Sequence, residues 1–248
     1  MSTKAANFQE TALGQTALKD LKLQIGGTRL EPIIKQVEAE LANVGLRHLH
    51  PRFYLSTEWG VPTDTIAVAI PFYLARQDLT ELHAQQVGHI EGSDDNDILR
   101  YLRHEVGHAV NYAYRLYEQK EWVEHFGSIT QPYIEEYRPS PFSQSFVSHL
   151  PGWYAQKHPD EDWAETFAVW LTPDSDWRST YSAHPEALDK LEYCEAILSA
   201  LKDKKPLVTS VEVDEPVGEL NFSLSEYYRR LAAEGVELPR GLDGALRT

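Results

Sequence analysis

The chain has 248 residues, 42% of them hydrophobic and 25% charged, enough for one large folded domain with an appendage. Its 38 acidic residues outnumber 23 basic ones for a formal net charge of -15, which argues against nucleic acid or an anionic membrane surface as a partner. The single cysteine, Cys194, excludes an internal disulfide and a cysteine-built zinc site, and reads as a small buried hydrophobe.

Residues 1–17 are small and polar and read as a flexible N-terminal arm. The stretch from Met1 to Leu23 contains no unbroken apolar run, and nothing later approaches about 18 consecutive apolar residues. The expectation is a cytoplasmic protein with no signal peptide and no membrane span. Leu21, Leu23 and Ile25 alternate with polar residues, which predicts a strand before Gly26-Gly27. Pro32 opens a predicted helix to about Asn43, with Ile33, Ile34, Val37 and Leu41 on one face and Gly45 as its stop. Strands are predicted at Arg52 to Thr57 and Thr65 to Ile70, the second ending at Pro71 and therefore at a sheet edge.

Ser93-Asp94-Asp95-Asn96-Asp97 supplies helix-capping residues for a long helix over about Asp97 to Glu118. Residues 126–152, with four prolines, read as ordered loop. Helices follow at about Pro159 to Leu171 and Pro185 to Leu201. After Lys205 the composition changes, and 206–248 reads as a C-terminal appendage with a short helix at Leu224 to Ala233. The intervening 18–205 is the predicted domain.

The long helix carries His104-Glu105-Val106-Gly107-His108. Residues four apart stack on one helix face, so both imidazoles can reach one Zn²⁺ at about 2.0–2.1 Å. Glu105 lies about 100° around the helix, beside the metal, where its carboxylate can take a proton from zinc-bound water. Leu102, Val106, Ala109, Val110 and Ala113 flank the motif and bury this helix, and buried histidines beside a glutamate need a partner such as a metal.

A catalytic zinc takes a third protein ligand and keeps one position for water. Pro159-Asp160-Glu161-Asp162-Trp163-Ala164-Glu165 supplies the candidate. Glu161 and Glu165 share a helix face, while Trp163, Phe167 and Trp170 anchor another in the core. Glu161 is the predicted ligand, and Glu165 the carboxylate that holds a ligand histidine by its free N–H. Acidic residues in a first helical turn also complement the helix dipole without any metal.

This pattern resembles the gluzincins, in which a later helix adds a glutamate to an HExxH helix. The chain is similar, over roughly residues 20–200, to bacterial zinc-binding metallopeptidases. The resemblance lies in EWGVP (58–62), AIPFYLA (69–75), RHEVGHA (103–109) and WYAQKHPDEDWAETFAVWL (153–171). More distantly it resembles the catalytic domain of anthrax lethal factor and proline-specific clostridial endopeptidases. That resemblance implies a ligand role for Glu161, and for Tyr154, seven positions earlier, a phenol that stabilises the oxyanion. The interval between His108 and Glu161 is longer than in thermolysin-like enzymes.

The expected fold is α+β: a zincin-like metallopeptidase domain with a small mixed sheet, an HExxH helix and a mainly helical C-terminal half. The expected cofactor is one Zn²⁺ and the expected activity peptide hydrolysis, with peptide or protein as partner, laid along Thr65 to Ile70. A zinc-stabilised binding or regulatory protein and a hydrolase of non-peptide amides remain alternatives. His48 and His50 form an HxH pair without the strand-helix alternation of a metal-binding barrel. His158 reads equally as a helix cap or a site residue. Glu105-x-x-His108 has no second copy, against a di-iron bundle.

Overall fold

The computed structural model describes residues 8–133 and 138–233. A short helix, α1 (Ala12–Gln15), precedes a 3-10 turn at Leu18–Leu21 and the first long helix, α2 (Leu30–Asn43). The expected stripe of α2 is buried: Leu30, Ile33, Ile34, Val37 and Leu41 all face the core. Gly45 follows at φ 96°, and a Cβ there would come within 2.7 Å of Lys202 Cγ, so both backbone and space require glycine. The strand expected at Leu21 to Ile25 does not form. Its alternation is real, since all three apolar side chains half-bury against the core, but Lys22 sits in the left-handed region at φ 51° and breaks the extended run.

Two strands pair in parallel, β1 (Arg52–Ser56) with β2 (Ala67–Pro71), in the register Arg52↔Ala67 to Ser56↔Pro71. Instead of the mixed sheet expected, the described residues give this parallel pair, with an isolated antiparallel bridge to it at Gly60↔Ala69. With β1 as its one strand neighbour, β2 is an edge strand, as expected. On the side away from β1, the Ala69 N–H donates to the Gly60 carbonyl at 2.8 Å, so a single bridge partly covers that edge. All five β2 residues are buried, which accounts for their near-continuous apolar character.

Six further helices of varied length lead to the last one. They are α3 (Gln77–Val87), α4 (Asp95–Tyr114), α5 (Lys120–Phe126), α6 (Pro159–Leu171), α7 (Trp177–Thr180) and α8 (Pro185–Ala200), followed by α9 (Leu224–Ala233). The Asp94 side chain caps α4 by accepting from the Asp97 N–H. Arg115, at φ 49°, ends α4 earlier than expected, and a 3-10 turn over Leu116–Glu118 replaces its predicted last turn. From Tyr101 to Tyr114 every residue of α4 is buried, which makes it the central helix.

The main partner of α4 is α6, and they cross at Gly107. A Cβ on Gly107 would fall 3.0 Å from Ala164 Cα and 3.1 Å from Phe167 Cδ1. The Trp163 indole N–H donates to the Gly107 carbonyl at 2.8 Å at the same crossing. Residues 206–217 run beside the sheet: the N–H groups of Leu207 and Val208 donate to Ala113, and Arg52 and Ser56 hold the carbonyls of Val211 and Glu215. Beyond them, an Ala17↔Ser223 bridge clasps the two ends of the described chain together, with Leu224 N–H donating to Thr16. Among the described residues no helix is long and apolar enough to cross a membrane.

Candidate metal centre

Two consecutive turns of α4 present His104 and His108 toward the N-terminal turn of α6, which presents Glu161. His158 opens α6 by accepting the Asp160 N–H at its Nδ1 (3.2 Å), and Pro159 occupies the first helical position. His158 therefore serves as the cap, one of its two expected roles. The His104 and His108 Nε2 atoms are 3.2 Å apart, and Glu161 Oε2 lies 3.1 Å from the first and 3.9 Å from the second. Ligands bound tetrahedrally at about 2.0–2.1 Å stand about 3.3 Å from one another, so these three atoms fit one zinc ion. Among the described residues, they form the cluster of metal-binding type.

The rear nitrogens of the two rings suit a bound cation. His104 Nδ1 lies 2.9 Å from Glu165 Oε1, and this carboxylate also accepts the backbone N–H groups of His149 (2.6 Å) and Leu150 (3.0 Å). His108 Nδ1 lies 2.9 Å from Asp160 Oδ2, close enough for an ion pair although its alignment falls short of a hydrogen bond. Asp160 is itself fixed by Asn111 Nδ2 and the Tyr112 hydroxyl, each at 2.6 Å. Carboxylates behind both rings favour a proton on each Nδ1. In the neutral rings that leaves two Nε2 lone pairs and a carboxylate oxygen facing one another in a buried space, an arrangement that positive charge, a proton or a metal, relieves.

The electrostatics agree. Burial opposes charge on both rings, but the neighbouring carboxylates outweigh it, holding His104 well above its ordinary value and His108 up to about 9. Burial likewise opposes ionisation of Asp160 and Glu161, yet the histidines hold Asp160 down to about 2 and Glu161 below the usual carboxylate range. Glu105 is different. Its burial pushes it up to about 7, only partly offset by the two histidines.

A cleft of about 1340 Å³ opens over the centre, and Glu105, Glu91, Trp59 and Tyr154 line it with His104, His108 and Glu161. Tyr154 begins a 3-10 turn, its ring 6.0 Å from that of His104 and steeply inclined to it. Its hydroxyl donates to Glu91 Oε1 at 3.1 Å. Burial and nearby acidic groups raise the phenol well above its ordinary range, so it remains a proton donor. All six residues predicted for the site, His104, Glu105, His108, Tyr154, Glu161 and Glu165, thus meet in one region. His48 and His50 lie elsewhere, exposed on either side of buried Leu49.

Sequence reasoning did not single out Asp160, Asn111, Tyr112 or Glu91. A usable signal existed for three of them: Asn111 and Tyr112 stand three and four places after His108 on its own buried face, and Asp160 adjoins Glu161. Glu91 carries no such signal, because only the tertiary fold brings it to Tyr154.

No curated protein and no solved structure matches the chain. Residues 79–227, more than half of the chain and spanning every candidate ligand, match the family described as "Putative zinc-binding metallo-peptidase". With the zinc-shaped cluster of α4 and α6 inside the matched stretch, the chain belongs to that zinc-binding metallo-peptidase family.

Proposed function

We propose that the protein hydrolyses peptide bonds with a single zinc held by His104, His108 and Glu161. The observation that carries this reading is Glu105: a carboxylate that opens on the cleft beside the ligands, held near 7, where a general base works best. A purely structural zinc has no use for it. Bound zinc would polarise the scissile carbonyl and acidify the attacking water. Glu105 takes the proton from that water and passes it to the departing amine. Tyr154, kept protonated, turns its hydroxyl from Glu91 toward the developing oxyanion.

The cleft bears on how a peptide lies. Gly60 bridges the open side of β2, and residues 57–61 all line the cleft. An extended peptide would pair with this segment. The rim beyond is aromatic: Trp59 stacks on Tyr101 at 5.5 Å, and Tyr227 and Tyr228 of α9 close the far wall.

The test is Glu105→Gln assayed on a diverse peptide library with zinc-loaded protein. The expected result is full zinc content with hydrolysis reduced by about 10²–10⁴-fold. Turnover retained by the variant overturns the mechanism, and a wild type that binds zinc but cleaves no peptide favours the binding-protein alternative.

A further inference from the structure

Each histidine ligand has an outer carboxylate behind it, and the third ligand has an outer partner of its own on the loop side. The Tyr133 hydroxyl donates to Glu161 Oε1 at 3.3 Å, while Oε2 is the oxygen facing the two histidines. Tyr133 is placed there by His158. With its Nδ1 accepting from Asp160, His158 carries its proton on Nε2 and donates it to the Gln131 carbonyl at 3.0 Å. Two residues on, the Tyr133 ring stacks over the His158 ring, with centroids 5.7 Å apart and planes 27° from parallel. The cap of α6 is thereby also a platform for Tyr133.

We propose that Tyr133 is the positioning residue of the third ligand: by occupying Glu161 Oε1 it holds Glu161 as a one-oxygen ligand through Oε2. A carboxylate released from such a partner can bind a metal through both oxygens, which raises the coordination number and removes the position kept for water. The ring of outer partners is then complete, with Glu165 behind His104, Asp160 behind His108 and Tyr133 behind Glu161. Two members are buried, whereas Tyr133 is 48% exposed at the cleft, so the orientation of the third ligand is set from the solvent side.

This inference rests on the zinc reading above, and the experiment separates the two. Zinc affinity is measured by chelator competition in the wild type, Tyr133→Phe and Tyr154→Phe, and the visible absorption of each is recorded with Co²⁺ in place of zinc. Tyr133→Phe removes one exposed hydroxyl and leaves the ring stack, so the fold is retained. The expected result is zinc binding weakened by about 10–100-fold. A weaker cobalt absorption, as four-coordinate geometry gives way to a higher number, should accompany it, with Tyr154→Phe unchanged in both. A Tyr133→Phe cobalt spectrum identical to wild type overturns the proposal, whatever its affinity. A wild type that binds neither ion overturns the zinc reading itself.

Discussion

The crossing of α4 and α6 and the seam between α3 and α9 both bury histidine, with opposite results. At the crossing, His104 and His108 lie against carboxylates that favour positive charge on the rings. At the seam, His83 stacks on Tyr73 with centroids 3.7 Å apart, and its Nδ1 lies 3.5 Å from the Tyr228 hydroxyl. Burial, helped by nearby His89, pushes His83 down to about 4. Burial opposes charge in both places, and what differs is the company. The chain supplies carboxylates where its chemistry calls for a cation and aromatic rings where it needs only packing.

Removing the carboxylates is the strongest way to break this contrast. Asp160→Asn and Glu165→Gln should each weaken zinc binding by about 10–100-fold, measured by chelator competition. Glu165→Gln should have the larger effect, because Glu165 is fully buried and two backbone N–H groups also depend on it. Equal affinity in the variants would mean that the outer carboxylates do not set the histidines.

A smaller effect should follow from changing the spacing at the crossing and leaving its charges alone. Gly107→Ala puts a methyl against the α6 backbone and should cost about 1–3 kcal/mol in urea unfolding. It should weaken zinc binding as well, since Glu161 rides on α6. Unchanged stability would show that the helices part without penalty.

The smallest effect concerns the seam. His83 has a folded pKa of about 4 against an ordinary 6.5, so between those values the unfolded chain binds more protons and stability falls as pH is lowered. Below about 4 the folded state takes up the proton too, and this contribution levels off. His83→Phe should flatten the slope of stability against pH between 4 and 6.5 and leave neutral stability nearly unchanged. An unaltered slope in the variant would assign the acid sensitivity elsewhere.

What the sequence disclosed and what it hid follow from the range of the interactions. Helix spacing alone placed His104 beside His108, and Glu161 on one face with Glu165, because those relations are local. Pro159 and the stop near Leu171 bounded α6 for the same reason. α3 and α5 offer short, weakly patterned faces, with only Leu79, Thr80 and His83 buried in α3 and Trp122 and Phe126 in α5. The alternation at Leu21 to Ile25 reported burial correctly but could not reveal that Lys22 turns left-handed. Pro71 marked an edge correctly, but the sequence does not show that Gly60 bridges it at Ala69. Asp160 looked like one more acidic residue in a first helical turn until the fold set it behind His108.

The division of the ligands between two helices gives the metal a mechanical role as well. His104 and His108 sit on α4 and Glu161 on α6, so an ion bound by all three would tie together two segments separated by residues 109–160. At a zinc concentration 100 times its dissociation constant, binding would add about 2.7 kcal/mol to stability. Chelation would then withdraw a tie between α4 and α6.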